Sequence, residues 1–217
     1  MGLAITFLIL SYLLGSIPFG LIIGKAAGKD LRKNGSGNIG STNAIRILGV
    51  KLGLLAAVCD ILKGTLVIII IYILEATNVW FNPFVIESTG DSLYALYGLM
   101  AVIGHCYSIF LNFKGGKAVA TSLGVLFATV PLAGVMALVA FFPVVFITRY
   151  VSLSSTAATI AAVLTSFIFY GVIIGDRLYT SFIVLILGLI IFIKHIPNYK
   201  RLANGTENRF GSKKKIA

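Results

Sequence analysis

Charge is what this 217-residue chain has least of. Asp, Glu, Lys and Arg make up 12% of it, against 58% hydrophobic residues and a mean hydropathy of +1.00. Soluble chains carry about twice that charge, and this composition cannot cover a globular core with a polar surface. Acids are scarcest: seven Asp and Glu stand against 18 Lys and Arg. The excess flanks apolar runs instead of forming a basic stripe, so a nucleic-acid partner is not expected. There are two cysteines, Cys59 and Cys106, both near apolar runs, and they imply no disulfide framework. The two histidines, His105 and His195, fall in separate motifs. A metal site is therefore not expected, and no cofactor motif is present. Internal repeats are absent, and Lys213-Lys214-Lys215 is the one low-complexity segment.

What the chain has in abundance is apolar runs of roughly 20 residues, each long enough to cross a bilayer as a helix. The expected spans are Leu3 to Gly24, Leu52 to Leu74, Ser92 to Leu111, two short helices within Ala118 to Thr148 broken near Pro131, Leu153 to Ile174, and Tyr179 to Ile193. Gly15, Pro18 and Gly20 predict a kink or close packing in the first. That first span lacks a basic n-region and a small-residue cleavage site, so it reads as a retained span and not as a signal peptide. The break near Pro131 is chosen because a single helix there would place Arg149 opposite the other basic loops. The basic residues gather in Lys25 to Lys51, Lys114 to Lys117, Arg149 and Lys194 to Lys215, whereas Glu75, Glu87 and Asp91 share a loop without Lys or Arg. The positive-inside rule puts the basic segments in the cytoplasm. The expected fold is all-α: one membrane domain of seven transmembrane helices over residues 1–217, N-terminus out and C-terminus in. Trp80 and Phe81 are expected interface anchors, and Lys194 to Ala217 a basic cytoplasmic tail.

Three polar segments then face the same side. The first is Gly35-Ser36-Gly37-Asn38-Ile39-Gly40-Ser41-Thr42-Asn43 with Arg46. Its glycines allow tight turns that aim N–H groups at a ligand, one of Ser41, Thr42 or Asn43 can cap the helix that follows, and Arg suits phosphate. The second is Gly104-His105 followed by Lys114-Gly115-Gly116-Lys117, a phosphate-binding pattern that is not a Walker A loop, because Leu111 and Ala118 replace its first Gly and its Ser or Thr. The third is His195, Asn198, Arg201 and Gly205-Thr206-Glu207, with His195 suited to act as a base or an anion donor. Each alone reads equally as an interfacial loop or basic tail on anionic lipid. Asp60 and Lys63, three apart in an apolar run, either pair with each other or contact substrate. Ser152, Ser154 and Ser155 begin a span and are expected to cap it. A small anion transporter is the rival class, but its site would need polar residues deeper in the membrane, and no inverted repeat is evident.

Together these segments resemble the PlsY family, the acyl-phosphate-dependent glycerol-3-phosphate acyltransferases of bacteria. The resemblance runs from Tyr12-Leu13-Leu14-Gly15-Ser16-Ile17-Pro18-Phe19-Gly20 through the three segments and Asp60 with Lys63-Gly64, covering most of the chain. Ala118 stands where the family usually has a third Gly, and Ser41 where it usually has Ala. The His-x-x-x-x-Asp dyad of the other large glycerophosphate acyltransferase class is missing, since Phe110 and Lys200 fill the fifth positions after His105 and His195. The resemblance implies seven helices in the bacterial inner membrane and an active site facing the cytoplasm. It also implies transfer of a fatty acyl group from acyl phosphate to the sn-1 hydroxyl of glycerol 3-phosphate, giving lysophosphatidic acid. Membrane lipid and the enzyme that supplies acyl phosphate are the implied partners. Ser36, Arg46, Lys117, His195, Asn198 and Glu207 are the expected catalytic residues. Gly37, Asn38, Gly40, Thr42, Asn43, His105, Gly115, Gly116 and Arg201 are the expected substrate-binding ones.

Overall fold

The structure is a computed structural model and describes residues 1–86, 88 and 91–211. Glu87 and Lys213-Lys214-Lys215 lie outside the described residues. The first apolar run forms α1 (Gly2–Ser16) and α2 (Phe19–Ala26). They separate at Ile17-Pro18 because proline lacks an N–H and holds the residue before it extended, with Ile17 at φ −62° and ψ 118°. A short amphipathic helix, α3 (Ser41–Leu48), precedes α4 (Val50–Ala76), which at ~1.5 Å per residue is about 40 Å long. After α4 comes a two-residue antiparallel ladder between β1 (Val85–Ile86) and β2 (Asp91–Ser92), the one departure from an all-helical fold among the described residues. Trp80 packs its ring 5.4 Å from that of Phe7 on α1.

The remaining helices are α5 (Ala95–Cys106), α6 (Val119–Thr129), α7 (Pro131–Thr148), α8 (Val151–Thr165) and α9 (Leu178–Ala203). Helix α8 continues as wide π turns over Ser166–Ile174. Five apolar helical stretches are long enough to cross a membrane: Gly2–Ala26, Val50–Ala76, Pro131–Thr148, Val151–Ile174 and Leu178–Ala203. Helices α5 and α6 are apolar but shorter. Rows of large exposed side chains such as Ile69, Ile70 and Ile73 on α4, and Phe146 and Ile147 on α7, suit contact with lipid. Helices α1 and α5 cross with their backbones nearly touching: a Cβ at Gly15 would strike the Ala101 carbonyl, and one at Gly104 the Tyr12 carbonyl.

The chain breaks between α6 and α7 at Val130, next to Pro131, as the sequence suggests. Two expectations need correction. Ser152, Ser154 and Ser155 do not cap α8; its N-cap is Tyr150, and Ser154 and Ser155 bond back to the carbonyls of Tyr150 and Val151. Nor does the last helix stop near Ile193. Helix α9 runs on to Ala203 through Pro197, so His195, Asn198 and Arg201 occupy one helical face instead of a tail beyond the last helix. The polarity change at Lys194 marks the end of the apolar surface, not of the helix.

Candidate active site

The first polar segment is wound around a single side chain. Asn43, 2% exposed, accepts the Ser36 N–H at 3.0 Å and donates to the carbonyls of Leu31, Asn34 and Asn38 at 3.1, 3.0 and 2.8 Å. Gly35 and Gly37 take positive φ to make this possible. The N–H groups expected to face a ligand are thereby engaged: Gly37 donates to the Asn34 carbonyl, and Gly40 to Asn38 Oδ1 at 2.7 Å. Asn43 holds the loop rather than capping α3, whose N-cap is Gly40. In the first turn of α3 the N–H donors of Ser41 and Thr42 have no acceptor within the helix.

The glycine-lysine segment also differs from expectation. The Gly115 and Gly116 N–H groups donate to the carbonyls of Cys106 and His105, at 3.1 and 3.0 Å, so the loop lies along the last turn of α5. A Cβ at Gly116 would strike His105 Nε2. These glycines are required by close packing, not to aim N–H groups at an anion. Ala118 follows in the left-handed region at φ 58° and opens α6.

Behind this loop Lys63 is anchored by the Ile17 carbonyl, freed by the break before Pro18, at 3.0 Å. Its Nζ lies 2.9 Å from Asp60 Oδ1, and His105 Nδ1 lies 3.6 Å from the same oxygen. All three are at least 96% buried. The Asp60–Lys63 alternative thus resolves to pairing, while Asp60 also faces the chamber described below.

From Lys117 a hydrogen-bonded chain crosses to α9. Lys117 Nζ donates to Asn198 Oδ1 at 2.5 Å, and Asn198 Nδ2 donates to Glu207 Oε1 at 2.6 Å. Glu207 also accepts Ser152 Oγ at 2.9 Å and Arg201 Nε at 2.7 Å. Burial alone would raise the Glu207 carboxyl, but these three donors and the Arg201 charge outweigh it and hold it below its ordinary range. Burial pulls the Lys117 ammonium down to about 8, with Arg201 adding to the effect and Glu207 opposing it. His195 Nδ1 sits 2.8 Å from the Ile191 carbonyl, which can only accept, so Nδ1 carries the proton and Nε2 is the ring's acceptor.

These parts enclose one cavity of about 310 Å³. Of the expected residues, Ser36, Asn38, Gly40, Thr42, Asn43, Arg46, His105, Lys117, His195, Asn198, Arg201 and Glu207 line it; Gly37, Gly115 and Gly116 do not. Ser152 was missed, although Ser152, Ser155 and Thr159 form a polar stripe at helical spacing that the sequence displays. The N-termini of three helices reach the same chamber: Ser41 and Thr42 of α3, Val119 and Ala120 of α6, Val151 and Ser152 of α8. Their partial positive charges add to Arg46, Lys117 and Arg201, and favour an anion. Away from this end the cavity becomes an apolar arm between α6, α7, α8 and α9, walled by Leu126, Ala137, Phe141, Ala162, Val184 and Leu187.

A bundle of membrane-length helices around a chamber cationic at one end and apolar at the other defines an integral membrane protein that handles anionic lipids or their precursors. The chain belongs to the glycerol-3-phosphate acyltransferase family, whose model matches residues 5–205. It is 43% identical over 210 residues to a glycerol-3-phosphate acyltransferase 2 of Bacillus cereus, covering 95% of each chain. It is 44% identical over 209 residues to a glycerol-3-phosphate acyltransferase of Bacillus cytotoxicus, covering 96% of each. Among solved structures it resembles PlsY, an integral membrane glycerol 3-phosphate acyltransferase. The glycerol 3-phosphate form is 40% identical with a TM-score of 0.81, covering 96% of both chains. The lysophosphatidic acid form is 38% identical with a TM-score of 0.79, covering 96% of this chain and 95% of that one. As a member of this family the protein is an acyltransferase acting on glycerol 3-phosphate in phospholipid biosynthesis.

Proposed function

We propose that the protein takes its acyl group from a fatty acyl phosphate and places it on the sn-1 hydroxyl of glycerol 3-phosphate, releasing lysophosphatidic acid and inorganic phosphate. The observation that carries this reading is the continuity of the cavity, from a chamber of cations and helix N-termini into an apolar arm. An acyl phosphate needs both ends. Among the described residues, the rings lining the chamber's polar end are those of His105 and His195, which gives the adenine of an acyl-CoA little to stack on.

An acyl phosphate is a mixed anhydride with an activated carbonyl. The glycerol oxygen forms a bond to that carbon, and the carbon–oxygen bond to phosphate breaks with its electron pair leaving on phosphate. The protein then has to hold two mutually repelling anions together and align the hydroxyl, which in well-aligned models supplies roughly 7–11 kcal/mol. Arg46, Lys117 and the first turns of α3 and α6 hold the phosphates, with the Ser36 hydroxyl and Asn38 amide adding neutral contacts. Asn198 and Arg201 orient glycerol phosphate. Glu207, with both oxygens already engaged, fixes those two side chains rather than touching substrate. The hydroxyl proton goes to a donor phosphate oxygen or to His195 Nε2; loss of the chemical step in His195→Ala at saturating substrate assigns it to His195.

In this proposal α5 and α6 complete seven spans of a single domain in the bacterial inner membrane. The N-terminus is outside, and the basic loops and chamber face the cytoplasm, where the acyl-phosphate-producing enzyme can dock. Detergent-purified protein given glycerol 3-phosphate with palmitoyl phosphate or palmitoyl-CoA tests the donor. Lysophosphatidic acid and phosphate from the first alone supports the reading, and product from the CoA ester alone overturns it.

A further inference from the structure

The apolar arm is closed at its far end. On α9 its wall runs from His195 through Ile191, Gly188 and Leu187 to Val184. The eleven steps from 195 to 184 span about 16 Å at ~1.5 Å per residue. On α8 the wall runs from Ser152 through Ala158 to Ala162 and Val163. Among the described residues, nothing further along either helix lines the cavity. One turn beyond, the two helices are locked together: Ser166 Oγ donates to Ser181 Oγ at 2.8 Å, Ser181 Oγ donates to the Ser166 carbonyl at 2.9 Å, and both residues are fully buried. The break between α6 and α7 packs Val130 and Ala133, both fully buried, into the same apolar cluster as Ala162 and Val184.

The closure is rigid, and the wall before it is made of small side chains. Buried hydroxyl pairs in an apolar surrounding are costly to separate, so the helices do not part readily to admit a longer chain. Ala158, Ala162 and Gly188 leave the width that a methylene chain needs, and a larger residue at 162 would occupy the arm itself.

We propose that Ala162 and Val184, at the blind end of the arm, set the length of acyl chain the enzyme accepts. This rests on the reading that the arm holds the acyl chain of the donor. The terminal methyl rests against these two side chains, and a longer chain cannot place its carbonyl at Lys117 and His195. The alternative geometry is a tail that leaves sideways between helices into the bilayer, for which the blind end is irrelevant.

The test is a ladder of saturated donors from octanoyl to stearoyl, run as acyl phosphates and in parallel as acyl-CoAs, on purified wild type, Ala162→Phe and Val184→Ala. The donor class that turns over in wild type reports the donor reading, and the chain-length profile with that donor reports the ruler. Ala162→Phe is expected to move the optimum to shorter chains, with kcat/KM for palmitoyl falling about tenfold or more relative to the shortest good donor. Val184→Ala, which only removes atoms and keeps the test open should the larger substitution fail to fold, is expected to move it to longer chains. A wild-type profile in a folded variant, with only the overall rate changed, overturns the ruler.

Discussion

Lys117 Nζ lies 2.5 Å from Asn198 Oδ1, joining the loop before α6 to the last turns of α9 across 81 positions of sequence. That bond places a cation at the mouth of the chamber while leaving its other two protons for a ligand. It also ties Lys117, in the middle of the chain, to Glu207 near its C-terminal end through Asn198.

The position of Lys117 makes substrate binding sensitive to alkali. Its ammonium is pulled down to about 8, so its charge is present below that value and lost as pH rises through it. Phosphate binding needs the charged form. The KM for glycerol 3-phosphate is therefore expected to rise above about pH 8, and Lys117→Arg to abolish that rise, since a guanidinium does not titrate there. Initial rates across neutral to alkaline pH check this.

Glu207 anchors three donors, so losing its charge reaches further than losing one of them. Glu207→Gln is expected to cost about 1.5–3 kcal/mol in transition-state stabilisation or stability, because it leaves Arg201 without its partner. Ser152→Ala, which removes one of several donors, is expected to cost about 1 kcal/mol. Thermal unfolding and kcat/KM of the two variants separate these effects.

The glycine loop makes opposite predictions at neighbouring positions. Gly116→Ala drives a Cβ into the His105 ring and is expected to destabilise by about 1–3 kcal/mol while displacing Lys117, seen as a lower Tm and a higher KM. Ala118→Gly relieves a left-handed alanine and is expected to stabilise by about 1 kcal/mol, raising Tm with little change in rate. An N–H cradle at Gly116 would predict a mild effect, since alanine keeps the N–H.

The buried pair beneath the loop is expected to behave as a unit. Lys63→Met alone strands Asp60 and costs about 3–5 kcal/mol, whereas Lys63→Met with Asp60→Asn recovers most of it. Thermal unfolding of the single and double variants reads the difference.

Hydropathy made the helices legible, and even the break at Pro131 followed from where Arg149 had to lie. The three polar segments were visible as glycine, amide and cation clusters, and they do meet at one cavity. What each residue does there was less legible. Asn43 reads as a helix cap or a substrate contact within its motif, yet its amide bonds four backbone groups of its own loop, a closure that only three-dimensional structure reveals. Gly115 and Gly116 read as phosphate donors because loop glycines often are, but packing against His105 demands the same residue type. Pro197 and the run of charges after Ile193 disguised the end of α9, since burial of His195 and Asn198 sustains the helix where local propensity would not.

Arg46 offers the most direct test of the chamber as an anion site. It lines the cavity on α3 and, among the described residues, forms no hydrogen bond or ion pair. Removing it should therefore leave the fold intact and subtract only ligand binding. Arg46→Ala, assayed with glycerol 3-phosphate and palmitoyl phosphate, is predicted to keep the wild-type Tm and to lose about tenfold to a hundredfold in kcat/KM, the worth of one charged hydrogen bond to phosphate. Turnover close to wild type in that folded variant would contradict the account, because a chamber cation left unpaired among the described residues would then be holding nothing.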